Sequence, residues 1–198
     1  MWNKFLKRLF DIVVSFMGLS FLLLIIVACW VIAACQTKSN GFFLHERIGR
    51  NGHKFKVVKI KTMYDDRTGQ RSSVTNATMS GITSSGRWMR RYKLDELPQL
   101  WNVLKGDMSF VGPRPDVEGY ADKLAGEELL ILQLRPGITG PASIKYKDEE
   151  LTLSLVEDPI NYNDEVIWPD KVKINLDYYR HNNIVMDLRY ILKTVFCR

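Results

Sequence analysis

Between Ile12 and Cys35 lie 24 consecutive residues without a charged side chain. As a helix they measure roughly 36 Å, enough to cross a bilayer core of about 30 Å. Any fold must therefore bury this segment or give it to lipid. A signal peptide would use Lys4, Lys7 and Arg8 as its basic start, but the run is longer than the usual apolar region and no A-x-A cleavage site follows. Basic residues flank the run on both sides: Lys4, Lys7 and Arg8 before it; Lys38, Arg47, Arg50, Lys54, Lys56, Lys59 and Lys61 after it. Positive residues prefer the cytoplasmic side, so a straight span strands one flank outside, whereas a re-entrant hairpin keeps both inside. Asp11, at the edge of the run, favours staying near the interface. A hairpin needs a break whose freed backbone groups are satisfied. The run has no proline, and Ser15, Gly18 and Ser20 are its only weak points. On the residues alone, the straight span and the hairpin stay equally open.

At 198 residues the chain has room for one domain with an appendage. A composition of 46% hydrophobic and 25% charged residues excludes a disordered chain. The net charge of +6 points to an anionic partner: nucleic acid, anionic lipid or a phosphorylated substrate. Cys29, Cys35 and Cys197 form no disulfide framework and fit a reducing compartment. His45, His53 and His181 show no zinc-ligand spacing. The stretch Phe55 to Met63 reads as a short strand, and Asp65 to Gly86 as a long loop. Leu97, Leu100, Trp101 and Leu104 recur at helical spacing on a short helix ended by Gly106. Tyr120 to Gln133 reads as a further helix. Lys171 to Phe196 reads as largely helical, with Ile184, Leu188, Ile191 and Val195 on one stripe flanked by Arg189, Lys193 and Arg198. Core packing is the assignment for that stripe, with a membrane-surface helix as the alternative. The expected class is α+β, mostly helical, with amphipathic surface helices and a small β element.

The chemistry concentrates around "YKLDELPQLW", where Asp95 and Glu96 stand side by side. Neighbours on a helix diverge by about 100°, so the two acids cannot face each other and their roles differ if both are functional. The structural alternative is a helix start, where acids and a proline such as Pro98 are favoured. In "GDMSFVGPRPDVEG", Pro113 and Pro115 hold Arg114 on a stiff strut suited to bidentate phosphate binding. "LRPGITG" repeats the device with Arg135. Lys59 and Lys61 alternate on the expected strand and could point toward one site; Arg91 lies close to the acids in sequence. A carboxylate among cations implies phosphate chemistry with a divalent metal: Mg²⁺ takes one or two carboxylates plus substrate oxygens, which Asp95 and Glu96 could supply. No P-loop and no G-x-G-x-x-G is present.

"KIKTM", "LDELPQLWNVLKGDMSFVGPRP" and "RPGITG", in this order behind a basic-apolar start, resemble the monotopic bacterial phosphoglycosyl transferases, the bacterial sugar transferase family, in their minimal form. The resemblance implies transfer of a sugar 1-phosphate from a UDP-sugar to polyprenyl (undecaprenyl) phosphate, with release of UMP, at the start of glycan assembly. It implies Asp95 as nucleophile, Mg²⁺ beside it, and Glu96 as a base or metal-shell group. Arg114 and Arg135 are expected to bind phosphate or nucleotide, joined by Lys59, Lys61 and Arg91. Residues 1–37 become the membrane segment, with the hairpin favoured, and 38–198 a catalytic domain on the cytoplasmic face of the bacterial inner membrane. Membrane lipids are expected partners and nucleic acid is not. Three departures stand out. The Ser-Pro that breaks the first helix in the family is missing. "LHER" replaces the common "RQER", and His45 receives no catalytic role. Val156 to Tyr178 matches only loosely, and part of sugar choice is expected there. A nucleotide-sugar hydrolase and a non-enzymatic basic membrane adaptor are the competing functions.

Overall fold

The structure, a computed structural model, describes residues 4–65 and 81–196. The uncharged run is the middle of one uninterrupted helix, α1 (Lys4–Thr37). Its buried residues, Asp11, Ser15, Ile26, Cys29, Ala33 and Thr37, follow the i, i+3, i+4 spacing of one helix stripe. Gly18 continues that stripe, and a Cβ there would stand 3.2 Å from the Leu100 side chain. The opposite face carries Phe16, Phe21, Leu24 and Val31, all exposed.

Both ends of α1 rest on the same body. Near the start, Arg8 donates to the carbonyls of Val103 (2.6 Å) and Leu104 (2.7 Å). Asp11 accepts from the Ser109 hydroxyl and the Phe110 N–H, each at 3.2 Å. Lys7 pairs with Asp187, whose other carboxylate oxygen accepts from the Tyr178 hydroxyl at 2.6 Å. Toward the end, Cys29 and Ala33 pack on Ile60 and Met89, and Ser85 donates to the Gln36 side chain at 2.7 Å. The expected helix break is absent. The hydroxyls of Ser15 and Ser20 donate to the carbonyls of Asp11 and Phe16, four residues earlier. They satisfy the helix without opening it, and no proline forces it apart.

The expected strand forms as β2 (Lys54–Ile60), and it pairs antiparallel with a partner not read from the sequence, β1 (Phe42–Ile48). The turn between them uses Asn51 (φ 57°) and Gly52 (φ 77°) in the left-handed region. Most of the expected Asp65–Gly86 loop, residues 66–80, lies outside the described residues. Its last residues are already ordered into α2 (Ser84–Arg91), where the Thr83 hydroxyl caps the helix by accepting from the Gly86 N–H at 2.9 Å. The helix ended by Gly106 is α3 (Gln99–Lys105), and Gly106 closes it at φ 104°. Trp101 does not join its buried face, being 55% exposed. Asn102 does: its amide donates to the Lys56 carbonyl (2.8 Å) and accepts from the Val58 N–H (3.0 Å), stitching α3 to β2.

Strands β3 (Ser109–Val111) and β4 (Gly137–Thr139) pair in parallel and lock the two Arg-Pro segments together. A Cβ on Gly112 would lie 2.2 Å from the Arg135 carbonyl, and one on Gly140 would lie 2.2 Å from the Gly112 carbonyl. Between these strands, the helix expected over Tyr120 to Gln133 forms as two 3₁₀ segments, Ala121–Lys123 and Gly126–Gln133. They present Ala121, Leu124 and Ile131 to a core shared with Ile48, Val172 and Trp168. The chain continues through α4 (Pro141–Lys145), α5 (Glu149–Ser154) and α6 (Pro159–Tyr162), then α7 (Trp168–His181) and α8 (Ile184–Phe196). The α8 stripe is not core: Ile184, Leu188 and Val195 are 48%, 42% and 59% exposed. Asp187, at the edge of that stripe, is the buried residue that holds α8 to Lys7 and Tyr178.

Candidate active site

Asp95 and Glu96 sit neither in α2 nor in α3 but in a separate 3₁₀ turn, Leu94–Glu96. Lys93 ends α2 in the left-handed conformation (φ 57°), which re-aims the chain before the acids. The turn sends them to different surroundings, as the angular argument required. Asp95 is buried, and its Oδ1 has no hydrogen-bond partner. Burial raises its carboxyl above the usual range, the charge of Glu96 adds to that, and Lys59 and Arg90 oppose it. Glu96 accepts from the Lys59 ammonium at 2.8 Å. Burial would raise its carboxyl too, but Lys59, Arg114 and Lys93 prevail and hold it down to about 2. One acid of the pair therefore keeps a free oxygen and the other is a fixed anion.

Glu96 opens onto a cleft lined by Arg47, Lys59, Gln99, Arg114 and Gly137 among others. Arg114 stands exposed at its edge, between the two prolines that stiffen it. Arg47 enters from β1, donating to the Pro115 carbonyl at 3.4 Å and lying 3.2 Å from His45 Nδ1. Asp116 completes the surroundings. Burial pushes its carboxyl up to about 6, against the pull of Lys171, Arg47 and Arg114.

Of the expected phosphate-binding residues, Arg114 and Lys59 reach the cleft, Lys59 already engaged by Glu96. Lys61 does not: it donates to the Ser39 hydroxyl and the Asp65 carboxylate, each at 2.6 Å. Arg135 donates through Nε to the Gly106 carbonyl at 2.9 Å, at the end of α3. Arg91 lies 5.8 Å over the Tyr92 ring. Its neighbour Arg90 is the arginine that acts on Asp95, while its Nε donates to the Thr62 hydroxyl at 2.9 Å. Arg47, Arg90 and Asp116 were not singled out from the sequence. The strand alternation of Phe43, His45 and Arg47 is the signal that could have found Arg47.

Among the described residues, no three or more His, Cys, Asp or Glu side chains gather to enclose a metal. The free Oδ1 of Asp95 suits an ion that takes a single protein carboxylate and completes its shell with water and substrate oxygens, as Mg²⁺ does. Glu96 has one oxygen committed to Lys59.

Residues 2–198 match the family described as bacterial sugar transferase. The chain is 35% identical over 206 residues to the UDP-glucose:undecaprenyl-phosphate glucose-1-phosphate transferase of Escherichia coli (strain K12), covering 98% of this chain and 40% of that protein. It is 38% identical over 207 residues to the protein of the same description from Klebsiella pneumoniae, with 98% and 40% covered. It is 31% identical over 190 residues to the uncharacterized sugar transferase EpsL of Bacillus subtilis (strain 168), with 96% and 85% covered. Of several curated relatives, the chain spans only about a third to two fifths of the length.

Proposed function

The chain belongs to the bacterial sugar transferase family, and from that premise we propose that it moves a sugar 1-phosphate from a UDP-sugar to polyprenyl phosphate and releases UMP. The observation that carries the chemistry is Asp95: a buried carboxylate with an unpartnered oxygen, beside a cleft of fixed cations.

The Asp95 carboxylate attacks the sugar-bearing phosphorus of the donor. The new bond joins the aspartyl oxygen to phosphorus, the bridging P–O bond breaks, and UMP leaves with the electron pair. A phosphate oxygen of the polyprenyl acceptor then attacks the same phosphorus. The aspartyl–phosphorus bond breaks, the carboxylate is restored, and a polyprenyl-diphosphate-sugar departs. One phosphoanhydride is exchanged for another, so the aspartyl phosphate is not an energetic trap. Two negatively charged partners must meet, which demands preorganised cations. Arg114 and Arg47 bind and orient the diphosphate. Lys59 fixes Glu96, whose anion tunes Asp95 rather than accepting a proton. Arg90 opposes the charge on Asp95. Mg²⁺, held by Asp95, would neutralise phosphoryl oxygens of the donor when bound.

The membrane reading is part of the same proposal. The exposed apolar face of α1 and the α8 stripe support docking on a membrane, and the UDP-sugar donor of this proposal would put it on the cytoplasmic side of the bacterial inner membrane. Contacts to the domain at both ends of the unbroken α1 support a seating along one leaflet, monotopic in this proposal, rather than a crossing of both.

The test is UMP release from a panel of UDP-sugars, with and without polyprenyl phosphate and Mg²⁺. Release beyond one equivalent of enzyme is expected only with both, and Asp95→Asn abolishes it. Lipid-independent turnover would make the protein a nucleotide-sugar hydrolase. Turnover by the Asn variant would remove the covalent step.

A further inference from the structure

Strand β1 places Phe43, His45 and Arg47 on one face at the period of two. Its register sets Phe43 opposite Lys59, His45 opposite Val57 and Arg47 opposite Phe55. The imidazole of His45 thus lies between two cations of the cleft, Arg47 on its own strand and Lys59 on the next. His45 Nδ1 and Arg47 Nη2 are 3.2 Å apart. A guanidinium has no lone pair to offer, so this contact is a hydrogen bond only when Nδ1 is bare and accepts. The other hydrogen bond of Arg47 is a long one, 3.4 Å to the Pro115 carbonyl; Asp116 attracts the guanidinium and Arg114 repels it. Glu46, next in sequence, takes no part: it points to the opposite face, toward Lys54.

We propose that His45 is a positioning residue: its neutral imidazole accepts from Arg47 and holds that guanidinium in the cleft where the donor diphosphate binds. This rests on the reading of the cleft given above. His45 touches no substrate and acts through Arg47. Its glutamine counterpart in the motif "RQER" could do the same through an amide oxygen, at every pH. Histidine adds a condition. Protonation of Nδ1 removes the acceptor and sets a third positive charge between Arg47 and Lys59.

The groups that face this unit are Lys59 and Val57 from β2, Phe43 and Arg47 from β1, and Arg114 and Asp116 from the segment after β3. Burial, then Arg47, then Lys59 lower the imidazole from its ordinary 6.5. The neutral form therefore prevails above that lowered value, and the acceptor is lost as pH falls through it. Asp116, near 6, faces Arg47 too and would contribute an acid limb of its own. The variants separate the two.

The experiment has two arms. In ring-¹⁵N-labelled protein in nanodiscs, His45 is expected to be unprotonated at Nδ1 in its neutral form and to titrate below 6.5. In the UMP-release assay, His45→Leu is expected to lower kcat/KM about tenfold through KM for the UDP-sugar, the scale of one hydrogen bond to a charged group. His45→Gln is expected to restore most of that loss and to flatten the acid limb. Titration at or above 6.5, an Nδ1–H neutral tautomer, or an acid limb unchanged in His45→Gln would each overturn the proposal. If the wild type releases no UMP at any pH, the transferase reading fails, and the NMR arm still decides the role of His45.

Discussion

On the proposed mechanism, Asp95 is the residue where stability and function pull against each other. Its oxygen is buried without a partner, and Glu96 is a second negative charge close by. Burial of such a group costs stability, and active sites hold costs of this kind because the chemistry needs them. Asp95→Asn removes the charge and keeps the shape. Thermal unfolding at pH 7 is therefore expected to show Tm raised by about 2–8 °C, the size of a one to two kcal/mol gain in a chain of this length. The sign follows from linkage. A carboxyl raised in the fold favours folding most in acid and loses that advantage as pH rises through its folded value. The gain of the Asn variant should thus shrink toward pH 3.8, the ordinary value for an aspartate. The acid pair and Arg114 were legible because proline and charge constrain them locally. The task of Lys59 was not, since it depends on Glu96, 37 residues away. Nor could adjacent Arg90 and Arg91 be ranked: about 100° of helix rotation separates them, and only packing fixes the phase of α2.

At the scale of elements, the two Arg-Pro segments had looked alike, and β3–β4 pairing explains why their arginines part. The parallel register carries Arg114 to the cleft and turns Arg135 toward the end of α3. Such pairing is invisible in a local pattern, as was β1, whose alternation is masked by charges in "FFLHERI". The extent of α1 was legible from its lack of charge, while its path along the domain was not, because the stripe that docks mixes Asp11, Ser15 and Thr37 with apolar residues. Gly112 is the most exacting position in this arrangement. Gly112→Ala places a methyl 2.2 Å from a backbone carbonyl that cannot yield without parting the strands. We expect a loss of several kcal/mol, seen as an early unfolding transition by circular dichroism and loss of UMP release.

For the whole molecule, the proposed membrane docking turns on which face of α1 would meet lipid. Leu24 is 81% exposed and Ala33 only 1%. Leu24→Glu is expected to weaken vesicle co-flotation with Tm within about 2 °C of wild type, whereas Ala33→Glu, pressed between Ile60 and Met89, should unfold the protein. Equal loss of Tm in both variants would mean that α1 is an ordinary core helix. The pairing of Lys7 with Asp187 adds a constraint in time, since the partners are 180 residues apart. At ordinary translation speeds roughly ten to forty seconds pass between the synthesis of one and of the other. During that wait the seat of the first helix is incomplete but begun, since Ile60, Met89, Val103 and Leu104 are made before α8, so the last helix closes onto a first helix already docked.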